Sequence, residues 1–117
     1  MHELELGQSI VNAVLLEVQK ATPFAKVLKA TIVVGKMRQV MPDYLKFAYQ
    51  TLSEGTAIEG SQLEIRFTPI LCTCSQCGKK NEIPAKGFIC PFCKSSTGKI
   101  SGGRELYLES LEVLEDE

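Results

Sequence analysis

Four cysteines form two C-x₂-C pairs in the second half of the 117-residue chain. The pairs are Cys74 with Cys77 and Cys90 with Cys93, and twelve residues separate them. Two intervening residues let a tight turn aim both sulfurs at one point, so two facing turns supply four thiolates at the corners of a tetrahedron. This spacing predicts a Zn²⁺ site, with a short hairpin in the segment between the pairs. Four thiolates leave no open coordination position, so we expect the zinc to be structural.

Two disulfides, free buried thiols or an iron–sulfur cluster are the alternatives for these cysteines. The chain opens without a basic and apolar leader, and it has no apolar stretch of about 20 residues. We therefore expect a cytoplasmic protein with no membrane contact, and a reducing compartment disfavours disulfides. Paired turns of this kind favour zinc over iron and sulfide. Cys72 could replace Cys74 as a ligand but would lose the two-residue turn, so we interpret it as a bystander thiol at the edge of the lobe.

The first three residues, Met1, His2 and Glu3, offer a second set of metal ligands. With Met1 retained, its amine, the backbone nitrogen of His2 and the His2 Nδ1 close a five-membered and a six-membered chelate ring. Ni²⁺ and Cu²⁺ favour such nitrogen-rich sets in square-planar or tetragonal form, and Glu3 could complete or support the site. A surface histidine is the alternative. His2 is the only histidine in the chain, and no glycine-rich phosphate loop appears, so the sequence predicts a protein that is not an enzyme.

The spacing of apolar residues predicts two helices and three strands. The helices cover residues 4–19 and 42–54, and the strands cover residues 26–35, 62–68 and 105–114. Their order predicts an α+β fold: a three-stranded sheet packed by two helices, with an inserted zinc-ribbon-like lobe. Residues 1–69 plus 102–117 are predicted to form the α+β domain, and residues 70–101 the zinc-binding lobe. Ser101, Gly102 and Gly103 predict a flexible joint.

Charge is balanced overall but unevenly distributed along the chain. Thirteen Lys and Arg oppose fourteen Asp and Glu, so no global field attracts nucleic acid or membrane. Residues 66–104 contain seven basic residues and one acidic residue, whereas residues 105–117 contain six acidic residues and no basic one. We interpret this as a solvated surface with an acidic end. The alternative is a zinc-ribbon nucleic-acid-binding module that uses Lys79, Lys80, Lys86, Lys94 and Lys99, with Phe88 and Phe92 for base stacking.

Several short motifs, taken in order, resemble one known family over the whole chain. They are Met1-His2-Glu3, Val33-Val34-Gly35, a helix opened by Pro42 with Leu45 and Phe47, and the cysteine pairs Cys74/Cys77 and Cys90/Cys93. This set is similar to the HypA/HybF family of hydrogenase-maturation nickel metallochaperones. The resemblance implies that the α+β domain carries Ni(II) in a weak, exchangeable site at His2, with Met1 and Glu3 nearby. It also implies that Zn(II) in the lobe is structural.

The same resemblance implies partners and a role in transfer. Proteins of this kind deliver nickel to the [NiFe]-hydrogenase large subunit together with a maturation GTPase, and some also serve urease maturation proteins. We expect a monomer or weak homodimer that contacts neither nucleic acid nor membrane. Asp43 is a candidate further oxygen ligand, and its alternative role is a favourable charge at a helix N-terminus.

Overall fold

The structure is a computed structural model, and it describes residues 3–20, 26–83, 89, 93–94 and 98–114. Its elements, in chain order, are α1 (Glu3–Lys20), β1 (Lys26–Gly35), a short 3₁₀ turn (Lys36–Arg38), α2 (Pro42–Ser53), β2 (Gln62–Thr68), β3 (Ile70–Cys74), β4 (Lys80–Ile83), β5 (Gly98–Gly102) and β6 (Leu106–Leu114). The two α-helices and two three-stranded sheets confirm the predicted α+β class. Neither described α-helix has the length and apolar character needed to cross a bilayer.

The described residues pack as two compact units. The first takes its residues from 1–33, 40–66 and 107–117, and the second from 34–39 and 67–106. The three predicted strands form the first sheet, with the order β2-β1-β6, and the second sheet has the order β4-β3-β5. The first sheet and the two helices account for the first unit, and the second sheet holds the cysteines.

β1 is the central strand of the first sheet, and its sequence suits that position. Its last four residues, 32–35, are all buried, which matches a run of β-branched side chains covered on both faces. The ammonium of Lys29 lies 2.9 Å from Glu64 on β2 and 3.9 Å from Glu112 on β6. The hydrogen bond from Lys29 lowers the pKa of Glu64. Charged side chains of all three strands therefore share one face of the sheet.

The two helices pack against each other through the stripes that the sequence predicts. The buried residues of α1 are Leu6, Gly7, Ile10, Val11 and Val14, and those of α2 are Leu45, Ala48, Tyr49 and Ser53. A Cβ on Gly7 would lie 3.0 Å from the Cβ of Ala48, so glycine allows the close approach. Pro42 is the first residue of α2, where its missing N–H costs no helical bond. The buried Tyr49 hydroxyl lies 2.7 Å from the Ser61 hydroxyl.

The second sheet is antiparallel, with β3 paired to β4 on one side and to β5 on the other. Ile70 lies opposite Ile83, and Leu71 lies opposite Gly102. A small apolar core forms on one face of this sheet from Ile70, Cys72 and Ile83, with Met37 packed against it. The sequence analysis expected only a hairpin between the cysteine pairs, so β3 and β5 are additions to the prediction.

The expected flexible joint at residues 101–103 is instead packed and hydrogen-bonded. The first two of these residues belong to β5, and Gly103 is buried. The Gly103 carbonyl accepts a hydrogen bond from the Met37 N–H at 2.8 Å. The Glu105 carboxylate accepts hydrogen bonds from the Thr68 hydroxyl and from the Gly103 N–H, and both bonds lower the pKa of Glu105. Two adjacent glycines alone signalled flexibility, whereas these contacts come from residues distant in sequence.

Candidate metal centres

The first cysteine pair is held by a backbone turn at the end of β3. The N–H of Cys74 donates to the carbonyl of Lys79 at 2.9 Å, and the N–H of Gly78 donates to the carbonyl of Cys74 at 2.9 Å. Gly78 has φ +73°, a left-handed conformation that glycine adopts without a steric cost. These bonds bend the chain sharply enough for both sulfurs of the pair to face the same point.

The second cysteine pair shares a backbone feature with the first. Lys94 directly follows Cys93, just as Gly78 directly follows Cys77, and Lys94 is also left-handed, with φ +61°. A lysine in this region costs about 1 kcal/mol relative to glycine. The sequence analysis missed this correspondence because a lysine gives no signal for a left-handed residue.

Three sulfurs converge at the end of the second sheet. The Sγ atoms of Cys74, Cys77 and Cys93 all lie within 4.8 Å of one another, and those of Cys74 and Cys93 are 3.4 Å apart. In a tetrahedral zinc–thiolate site the sulfurs are about 3.8 Å apart. The donor set therefore fits Zn²⁺. Cys90, the fourth predicted ligand, lies outside the described residues.

The electrostatics of Cys74 favour the thiolate, which is the form that binds metal. Backbone N–H groups in the turn, first that of Cys77 and then that of Gln76, point at the Cys74 sulfur and lower its pKa. Burial acts in the opposite direction but is the weaker effect than the Cys77 hydrogen bond. Cys74 is buried whereas Cys77 and Cys93 are exposed, so the sulfur group is open to solvent on one side.

The structure corrects the prediction for Cys72. This residue is 1% exposed and belongs to the apolar core with Ile70 and Ile83, so it is not at the edge of the lobe. Its position two residues before Cys74 on β3 places both side chains on the buried face. The described group of converging sulfurs does not include Cys72, and its burial explains why a fifth cysteine is present as a small apolar side chain.

The predicted nickel ligands Met1 and His2 lie outside the described residues. Glu3 is the first residue of α1, and its carboxylate accepts a hydrogen bond from the Met41 N–H at 3.3 Å. Met41 immediately precedes α2, so this bond connects the beginnings of the two helices. Asp43 is exposed in the first turn of α2, a position where its charge is favourable for the helix.

Comparison with known proteins identifies the family. A family model described as "Hydrogenase/urease nickel incorporation, metallochaperone, hypA" matches residues 1–113. The chain belongs to this HypA family. The hydrogenase maturation factor HypA of Methanococcus aeolicus is 34% identical over the full length of both chains. The factor of the same name from a Picosynechococcus species is 36% identical over 97% of this chain and 100% of its own.

A solved structure supports the HypA fold independently. The solution structure of the nickel metallochaperone HypA from Helicobacter pylori superposes with a TM-score of 0.66, covering 99% of this chain and 100% of its own at 23% identity. HypA is a family of nickel-incorporating metallochaperones and not a family of catalysts, which agrees with the sequence analysis. The nucleic-acid-binding alternative is not favoured.

Proposed function

We propose that this HypA-family protein binds Ni(II) as cargo at its N-terminus and delivers it during [NiFe]-hydrogenase maturation. The observation that carries the proposal is the Met1-His2-Glu3 sequence, whose last residue begins α1, in a chain of this family. The proposed ligands are the amine of Met1, the backbone nitrogen and Nδ1 of His2, and the carboxylate of Glu3.

The position of these residues suits a carrier. The first N–H groups of a helix have no intrahelical partner, so a metal bound at the N-terminal end of α1, which begins at Glu3, need not break a helical bond. The positive end of the helix dipole opposes a cation, and Glu3 and Glu5 in the first turn of α1 offset it. A site at the chain end with few ligands releases its metal when a receiver's ligands replace them, which transfer requires.

The zinc site is proposed to be structural. Cys74, Cys77, Cys90 and Cys93 supply four thiolates, and residues 70–101 form the zinc-binding lobe. The three converging sulfurs of the described residues support this assignment. Four thiolates leave no position for water or substrate, so zinc supplies folding free energy, on the order of 10 kcal/mol, and no chemistry.

The partners proposed are those that nickel incorporation requires. They are a maturation GTPase and the hydrogenase large subunit, with urease maturation proteins as possible further receivers. The family description, which names both hydrogenase and urease, supports the two receiving systems, and the GTPase follows from the family resemblance. We place the protein in the cytoplasm, because the converging cysteines suit a reducing compartment. We expect it to be a monomer or a weak homodimer.

Calorimetric titration with Ni²⁺ tests the proposed site. We expect one nickel per chain for protein with its native, untagged terminus. His2→Ala and an extension of a few residues before Met1 should both abolish this binding while zinc content stays at one per chain. The same extension placed after Glu117 is the matched control and should leave nickel binding intact. Unchanged binding in both N-terminal variants would contradict the chelate.

The roles of the two candidate oxygen ligands can be separated in the same assay. Glu3→Gln removes the carboxylate charge but keeps an oxygen that accepts from the Met41 N–H. If Glu3 binds nickel, the variant weakens nickel binding without a loss of thermal stability. Asp43→Asn is the matched change in the first turn of α2, and we expect no effect on nickel binding.

A further inference from the structure

The second sheet has one buried face and one exposed face. Residues that alternate along a strand point to opposite faces, and residues directly opposite one another on paired strands share a face. Ile70 and Cys72 occupy the buried face of β3. Leu71 and Thr73 therefore occupy the other face, where both are half-buried.

Two lysines flank Thr73 on this exposed face. Thr73 pairs with Lys80 on β4 and with Lys99 on β5, so the three residues form one row across the sheet. Adjacent Cβ atoms in such a row are about 5 Å apart, which places the two lysine stems about 10 Å apart with the threonine hydroxyl between them. Both lysines are exposed, and neither forms an ion pair with a residue that the structure describes.

The acidic residue described on this face has a basic partner of its own. Glu82 lies opposite Leu71, on the same face as Thr73, and its carboxylate is 3.8 Å from the ammonium of Lys36. Among the described residues of the three strands, the remaining charge on this face is that of the two lysines. It lies in a basic stretch, since residues 66–104 carry seven basic and one acidic residue, whereas the rest of the chain carries six basic and thirteen acidic residues.

We propose that the basic sheet face, defined as Lys36, Thr73, Lys80, Glu82 and Lys99, is a docking surface for a carboxylate-rich segment of a partner protein. Charge complementarity selects the partner: two ammonium groups with no described counter-ion attract carboxylates, and the threonine hydroxyl donates a hydrogen bond between them. The proposal concerns a surface distinct from the converging sulfurs and from the N-terminus.

The composition of the face favours an acidic protein over nucleic acid. Single-stranded nucleic acid is bound by aromatic side chains that stack on bases, and the residues of β3, β4 and β5 include none. Every basic residue in positions 67–103 is a lysine, whereas bidentate recognition of phosphate favours arginine. Lysines on a sheet face interact as separate point charges, which suits carboxylates carried on a peptide.

Fluorescence anisotropy with a labelled peptide of ten glutamates tests the surface, using the zinc-loaded full chain at low and physiological salt. The variant is Lys80→Glu with Lys99→Glu. The matched control is Lys20→Glu with Lys46→Glu, which changes net charge equally at exposed positions of the two helices. Lys80→Arg with Lys99→Arg tests whether charge alone suffices. Zinc content and circular dichroism establish that each variant is folded.

The expected result is salt-dependent binding of the peptide that the Lys80/Lys99 reversal weakens at least about tenfold, with less than about a twofold change in the control and in the arginine variant. Equal weakening in the control would overturn the proposal, because net charge would then explain the binding. Absence of binding at low salt would also overturn it. Stronger binding of a poly-uridine RNA or of phosphatidylserine vesicles to the same face would assign it to another class of partner. Self-association abolished by the reversal would assign it to a second copy of this chain.

Discussion

The two units of the molecule are stabilised by different means. The first buries apolar side chains from both helices and from β1 and β2, among them Val14, Val27, Leu45, Tyr49 and Leu63. The described apolar core of the second consists of Ile70, Cys72 and Ile83 with Met37 beside them. This described cluster is small beside the core of the first unit, and burial of that size contributes on the order of a few kcal/mol. The first unit therefore relies mainly on apolar burial, and the proposed zinc site would supply stability that the small cluster of the second does not.

Removal of zinc should separate the two units most clearly. Chelation, or Cys74→Ala, is expected to remove on the order of 10 kcal/mol from the second unit, because its ligands are then unrestrained. Hydrogen exchange should show lost protection at Leu71 and Cys72 and retained protection in α1 and α2. Cys72→Ala is the matched control, since it removes a buried thiol that is not among the converging sulfurs, and it should keep zinc. Full protection from hydrogen exchange in a zinc-free second unit would contradict its dependence on zinc.

A cavity in the first unit should have the converse effect. Leu45 is fully buried in α2, so Leu45→Ala is expected to cost about 3 kcal/mol of unfolding free energy while the chain still binds one zinc. Phe47, two residues along the same helix, is 68% exposed, and Phe47→Ala should change stability by less than about 0.5 kcal/mol. Urea denaturation of the zinc-loaded protein measures both. Loss of zinc from the Leu45 variant under native conditions would show that the units are not stabilised separately.

Gly103 offers a smaller and more local change in the second unit. It has φ +109°, and an added Cβ would lie 2.9 Å from the Cα of Ile70. We expect Gly103→Ala to cost about 2 kcal/mol, from backbone strain together with this contact. Gly60→Ala is the control, because φ there is +85° but the space around it is open, so strain alone should cost about 1 kcal/mol. Thermal denaturation compares the two variants. Equal losses of stability would contradict a contribution from the contact between the added Cβ and Ile70.

The smallest expected effect is a pH dependence at Glu105. Hydrogen bonds from Thr68 and Gly103 lower the pKa of this carboxyl, so its ionised form favours folding. The resulting stability is present above the ordinary glutamate pKa and is lost as the pH falls through the lowered value. The melting temperature of Glu105→Gln should therefore be below that of the wild type at pH 7 and approach it in acid. A melting-temperature difference that persists unchanged in acid would contradict this role of the Glu105 carboxylate.

The first unit was predictable from sequence because its elements are periodic. α1 and α2 show apolar stripes and β2 shows alternation, so both helices and the strands 26–35 and 62–68 match the structure within about a residue. β1 departs from simple alternation, since residues 32–35 are buried in succession. Burial of successive residues requires cover on both faces of the strand, and at Gly35 that cover includes the backbone of Gly103 and Arg104, which are distant in sequence.

The second unit was predictable in its chemistry but not in its backbone. The C-x₂-C spacing identified Cys74, Cys77 and Cys93 as neighbours, because a tight turn has few geometries. β3 and β5 are five residues each, too short for a periodic signal, and they are defined by pairing with each other. The packing of Gly103 was missed for the same reason, since its contacts come from residues 33 and 66 positions away.

The pairing of Leu71 with Gly102 affects the order in which the chain folds. These residues stand at the two ends of the inserted segment, so the formed second sheet holds those ends at the spacing of adjacent strands. Without that sheet, β6 must find its place beside β1 across a long unstructured loop, which is entropically costly and slow. With it, only the few residues from Gly103 to Glu105 separate the folded insertion from β6. Zinc uptake at the proposed site would thus shorten the conformational search of the C-terminal strand.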